Sequence, residues 1–221
     1  MTTDFINNGK NPANAEPANS AKAWDRESLL KWLKTHLSDE RYTHTLGVEE
    51  CARELAKRYG LDIEKAALAG LLHDCAKCLS NDELSNLLKT EVQNVDENEL
   101  LNYKTFHAPV GEYFAKNKFN VCDSEILSSI RCHTLGKVGM TTFEKIIFLA
   151  DKIEARTREP EYREKILKIL DENEGEKGLN LALFVCFKET IKSLVKRELA
   201  ICPVTIDVYN WLLEAVKEYQ K

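Results

Sequence analysis

The stretch IEKAALAGLLHDCA, residues 63–76, decides how the rest of the chain is read. From Ala66 onward it is apolar on nearly every side, and only the adjacent pair His73 and Asp74 interrupts it. A helix that is hydrophobic all round belongs in an interior. The pattern therefore predicts a central buried helix over 63–76, with the pair carried inside. A buried carboxylate costs on the order of several kcal/mol unless a compensating charge sits beside it. Asp74 needs such a partner.

Working outward, almost every segment has helical period. Asp25 can cap a helix through Leu29, Leu30 and Leu33. Val48, Cys51, Ala52, Leu55, Ala56 and Tyr59 fall at i, i+3, i+4, i+7, i+8 and i+11, and Gly60 ends that run. Downstream, Ser80 or Asn81 starts a short helix, and Pro109 suits the first position of a helix holding Val110 and Phe114. Asp123 or Ser124 caps one with Ile126, Leu127 and Ile130 in phase. Thr141 and Glu144 make a capping-box pattern before FEKIIFLADKI. Pro160 opens a further helix, and two amphipathic helices are expected over about 178–200 and 204–219. Strand signals are weak. The fold class is all-α, an irregular helical bundle.

The chain has 221 residues, 43% hydrophobic and 30% charged, which suits one globular domain. Residues 1–22 are rich in Asn, Ala and Pro and are expected to form a disordered tail, leaving 23–221 as the domain. A net charge of −5 argues against a nucleic-acid partner, which favours a basic face. No stretch approaches 18 apolar residues, so no membrane span is expected. The N-terminus reads as no secretory leader. The seven cysteines are then free thiols in a reducing cytoplasm, and packing is the plain reading of each, Cys75 and Cys78 included.

Five histidines occur, and their placement is informative. His44 lies four residues before Val48, on its helix's apolar face. His107 stands just before Pro109. His133 follows Ile126 and Ile130 at i+7 and i+3. Asp151 follows Ile147 at i+4. Four histidines and two aspartates thus take core-facing positions on separate helices. A cation shared by imidazoles and carboxylates would compensate the acids, and this donor set suits Fe, Mn, Zn or another transition metal better than Ca. Asp74 could also bridge to a second ion. His36, among Lys34, Thr35 and Ser38, is read as exposed and without a role.

The order His44, His73-Asp74, Asp151 resembles the H…HD…D signature of the HD-domain metal phosphohydrolases. The runs RYTHTLGV (41–48), GLLHDCAK (70–77), FHAPVG (106–111), IRCHTLG (130–136) and FLADKIEARTR (148–158) are similar to the YqeK family within them, and the resemblance spans about 24–220. It implies a helical bundle of the HD type and a symmetrical diadenosine tetraphosphate hydrolase giving two ADP, through attack of a metal-bound water or hydroxide. It implies metal ligation by His44, His73, Asp74 and Asp151, with iron preferred and Mn, Zn or Mg admissible, as one ion or two. It implies substrate contacts or a second metal (with Asp74) at His107 and His133. Arg41, Lys77 and Thr134 match positions that meet the nucleotide. The family often has a proline after the glutamate and one arginine two residues later. Here Ala155 and Thr157 fill those places, with Arg156 and Arg158 flanking.

On that reading Asp74, Lys77, His107 and His133 act in catalysis, and Asp74 or Asp151 orients the water. Lys77, one turn after His73, stabilises charge on the phosphate oxygens. Arg41 holds a terminal phosphate from the same helix face as His44. Arg156 and Arg158, with Asp151, meet the polyphosphate, where a guanidinium fork is useful. A homodimer stays open. So do two other functions: another HD-type nucleotide phosphatase or phosphodiesterase, and a non-catalytic nucleotide-binding regulator.

Overall fold

The computed structural model describes residues 25–219 and 221. The tail expected over 1–22 lies outside the described residues. Ten α-helices are present among the described residues, with no strand. They are α1 (Arg26–His36), α2 (Asp39–Arg58), α3 (Ile63–Leu72), α4 (Asn81–Thr90), α5 (His107–Asn117), α6 (Ser124–Cys132), α7 (Thr142–Ile153), α8 (Pro160–Glu172), α9 (Gly175–Lys196) and α10 (Pro203–Glu218). Short 3-10 turns cover Cys75–Cys78, Glu97–Leu101 and Tyr103–Thr105.

Local chemistry starts these helices where the sequence places them. Asp25 caps α1, Asp123 caps α6, and reciprocal capping boxes open α4 at Ser80/Glu83 and α7 at Thr141/Glu144. Gly60, at φ +66°, ends α2 in a conformation that a Cβ would resist. Pro160 is the first residue of α8.

Several boundaries differ from expectation. The helix read over 63–76 stops at Leu72. The His73 ring donates from Nδ1 to the Gly70 carbonyl at 2.7 Å. In a continuing helix that carbonyl would take the Asp74 amide, so the side chain ends the ladder and Asp74 turns out of it. α5 begins at His107, which puts Pro109 third; its missing N–H is still in the first turn, where helical amides have no partner anyway. α9 starts and stops a few residues earlier than its periodicity suggests, and α10 about one residue earlier at each end.

Helices α2, α3, α5, α6 and α7 pack around one core; α8 and α9 pack against α7, and α10 packs on α9. α7 is buried along almost its whole length, and Leu71, Leu72, Ile146, Ile147 and Leu149 have no exposed surface. Each such side chain contributes about 1.5–3 kcal/mol of burial. The functional candidates therefore hang on rigid elements. No helix among the described residues is long and apolar enough to cross a membrane.

Candidate metal centre

Five elements converge on one buried cluster. α2 contributes His44 from its second turn, and the end of α3 contributes His73. The turn after it holds Asp74. α5 begins with His107, α6 ends at His133, and α7 carries Asp151 in its last turn. All six are buried. His133 repeats the device seen at His73: its Nδ1–H donates to the Ile130 carbonyl at 2.6 Å and closes α6.

These outer bonds decide what the rings present inward. In His73, His133 and His44 the proton sits on Nδ1, donated respectively to Gly70, Ile130 and, at 3.1 Å, the Glu154 carboxylate. Each Nε2 then offers a lone pair to the interior. His44 Nε2 and His73 Nε2 face each other at 3.3 Å, and His107 Nε2 and His133 Nε2 at 3.2 Å. Between His44 and His73, whose outer protons are both committed, two lone pairs so close repel unless a cation or a proton stands between them.

The carboxylates complete the set. Asp151 Oδ1 lies 3.0 Å from His44 Nε2 and 3.8 Å from His73 Nε2. Asp74 divides its oxygens: Oδ2 is 3.5 Å from His73 Nε2, while Oδ1 is 3.2 Å from His107 Nε2 and 3.4 Å from His133 Nε2. His44, His73 and Asp151 form one group able to hold a cation, with donor atoms within 4.8 Å; His73, Asp74 and His133 form another. Nitrogen and oxygen donors on neutral imidazoles and ionised acids fit a divalent transition cation.

The titration behaviour agrees. Burial pushes both aspartates upward, but it is outweighed, and both stay well below the usual carboxylate range. For Asp74 the opposing groups are His73, His107 and His133; for Asp151 they are Lys152, His44, His73 and Arg158. Burial drives His107 down to about 3 and also lowers His133, so both rings are neutral. At His73 burial is overcome by Asp74 and Asp151, which favour a second ring proton, on Nε2, in the place a cation would take. The acids ask for positive charge at that point, which is what a bound cation supplies.

A rim of cations surrounds the acids. Arg41 donates to Asp74 Oδ2 at 2.8 Å. Lys152 donates to Asp151 Oδ2 at 2.7 Å, and Arg158 to Asp151 Oδ1 at 2.7 Å and to the Asp151 carbonyl at 2.7 Å. Lys77 is largely buried, and burial lowers its pKa against the pull of Asp74. Arg156 is not brought into the cluster: it turns outward to Glu50, with Nε 3.0 Å from Oε2. The two arginines that the sequence left unranked are thus separated, Arg158 at the acids and Arg156 at the surface. The Thr134 hydroxyl, beside His133, is buried with no hydrogen-bond partner among the described residues.

Sequence reasoning missed Lys152 and Glu154. Glu154 had a signal, since it follows Ile147 and Asp151 at i+7 and i+3 along the same stripe of α7. His36 was misread as exposed: it is half-buried, stacked on Trp32 at 4.1 Å. The seven cysteines are free. Cys75 is buried, with its thiol toward the Gly111 carbonyl, and burial pushes the Cys132 thiol up to about 12, so neither is a reactive thiolate.

A helical bundle holding a buried His-Asp pair among further histidines defines the HD-domain class, and the HD-domain family model matches residues 41–156. The chain belongs to the HD-domain family and, within it, to the branch of its curated bacterial relatives named symmetrical bis(5'-nucleosyl)-tetraphosphatase. The relative from Bacillus subtilis is 38% identical over 86% of this chain and 98% of its own length. That from Halalkalibacterium halodurans is 37% identical over 86% and 97%. Among solved structures, one from Clostridium acetobutylicum, described as a predicted HD superfamily hydrolase involved in NAD metabolism, superposes with a TM-score of 0.79 at 33% identity, over 87% of this chain and 98% of that one.

Proposed function

We infer that the chain is a metal-dependent phosphohydrolase that cleaves diadenosine tetraphosphate symmetrically. Water adds at a central phosphorus, the bridging P–O bond at the middle of the chain breaks, and two ADP leave. The observation that carries this reading is the convergence of lone-pair-bearing imidazole nitrogens on two buried aspartates inside a rim of cations. The relatives' activity supplies the substrate.

His44, His73, Asp74 and Asp151 would hold the cation, with iron as the native metal. Asp74, His107 and His133 would hold a second ion or meet the substrate. When bound, the cation supplies Lewis-acid polarisation of a phosphoryl oxygen and a water acidic enough to react near neutral pH. The chain's own groups do the rest. Asp151 or Asp74 orients the attacking water. Lys77 is desolvated and has no ion pair among the described residues, so its charge is available to the non-bridging oxygens, where a dry site makes it count for more. Arg41, Lys152 and Arg158 line the path of a polyanion, and the unpartnered Thr134 hydroxyl is a further contact. Residues 23–221 form the catalytic domain, working in the cytoplasm.

A turnover assay on metal-stripped protein tests this. Hydrolysis should be absent until Fe(II) or Mn(II) is restored and should track the metal bound. Full turnover in the stripped protein would rule the reading out.

A further inference from the structure

Glu154 does work that no metal ligand or substrate contact accounts for. It stands just past the end of α7 and has no exposed surface. Its carboxylate accepts from His44 Nδ1 at 3.1 Å, from the Arg156 amide at 2.6 Å, from the Thr157 amide at 3.0 and 3.1 Å, and from the Thr157 hydroxyl. An ionised carboxylate can only accept. His44 is therefore left one tautomer, with the proton on Nδ1 and the lone pair on Nε2 turned to Asp151 and His73.

The same carboxylate shapes the chain that follows. By taking two successive amides it turns residues 154–157 back on themselves, and Arg158 then returns to Asp151 through both its side chain and carbonyl contacts. The seat exists because position 47 has no side chain. A Cβ on Gly47 would lie 2.1 Å from Glu154 Oε2, 2.9 Å from its Cδ and 3.3 Å from Arg156 Cβ. A side chain at position 47 would therefore have to displace the carboxylate from these bonds.

We propose that Glu154, seated against Gly47, is a positioning residue that sets His44 as a metal ligand and delivers Arg158 to the same aspartate. This couples the metal donor set to the phosphate-binding rim through one buried group. The proposal rests on reading the histidine–aspartate cluster as a metal centre. It adds that the ligand geometry is imposed from behind by Glu154.

The test uses the full chain labelled with ¹⁵N-histidine, without metal, and Mn(II) as the probe ion. In the wild type, at a pH high enough to leave one proton on the ring, His44 should show a protonated Nδ1 and an unprotonated Nε2. In Glu154→Gln the amide oxygen is claimed by the Arg156 and Thr157 amides, which turns the NH2 group toward His44. The ring should then move toward the Nε2–H form, and Mn(II) affinity should fall by roughly 10- to 100-fold, the usual loss when a ligand histidine is unsupported. A merely structural role would lower the unfolding midpoint and leave tautomer and Mn(II) affinity unchanged. That result, or an Nε2–H ring in the wild type, overturns the proposal. Should Glu154→Gln not fold, Gly47→Ala applies the same test by displacing the carboxylate, with the same two outcomes. If the wild type itself bound no Mn(II), the metal reading would fall separately, and the tautomer would still report on Glu154.

Discussion

Glu49 and Asp74 are equally buried, each side chain keeping 3% of its surface, and they keep opposite company. Glu49 receives the Arg26 guanidinium as a fork at 2.8 and 2.7 Å, with Arg53 at 3.3 Å. The chain itself closes that charge. Asp74 has one arginine, on Oδ2, and turns its other oxygen to two neutral imidazoles. Burial of a carboxylate is therefore no sign of function in this molecule. The sign is a carboxylate faced by several imidazole nitrogens, two of them, on His73 and His133, with their outer protons already committed to backbone.

The comparison breaks most visibly by removing each acid in turn. Asp74→Ala should strip the metal and reduce hydrolysis by roughly 10³-fold, or about 4 kcal/mol of barrier, as read by metal analysis and initial rates on the same preparation. A variant with full metal and full rate would remove Asp74 from the site. Lys77→Ala should retain the metal and lose roughly 10²-fold in kcat, the scale of one donor to developing charge in a dry site. If the metal went with it, Lys77 would be structural instead.

Smaller effects sharpen the contrast. Arg158→Ala should lower kcat/KM about tenfold, since one charge-assisted contact contributes about 1.5 kcal/mol, while Arg156→Ala should stay near wild type because its partner is an exposed surface acid. Equal losses in the two would mean that their separation does not persist in the working enzyme. Glu49→Gln should leave metal and rate alone and cost about 1–3 kcal/mol in urea unfolding, the penalty of spoiling a buried, bonded carboxylate. A loss of metal there would erase the distinction between the two acids.

Much of this was legible from residue order. His73-Asp74 stood out because the run around it is otherwise apolar, and His44, His133 and Asp151 because they fall in phase with Val48, Ile130 and Ile147. What stayed hidden depended on side chains acting on backbone. Periodicity has no term for an imidazole that ends its own helix, so α3 was read too long. Glu154 and Lys152 carry no assigned role in the sequence reading, and only folding shows one turned inward and the other against Asp151. Arg156 and Arg158, two residues apart, cannot be ranked until the turn made by Glu154 points one of them out and the other in.

The central claim is symmetrical cleavage at a metal-dependent site. Nucleotide product analysis under anaerobic conditions with Fe(II) and diadenosine tetraphosphate tests it most directly. The account predicts ADP as the sole product, formed at two per substrate consumed and absent without metal. ATP and AMP in equal amounts, or release of inorganic phosphate, would contradict it.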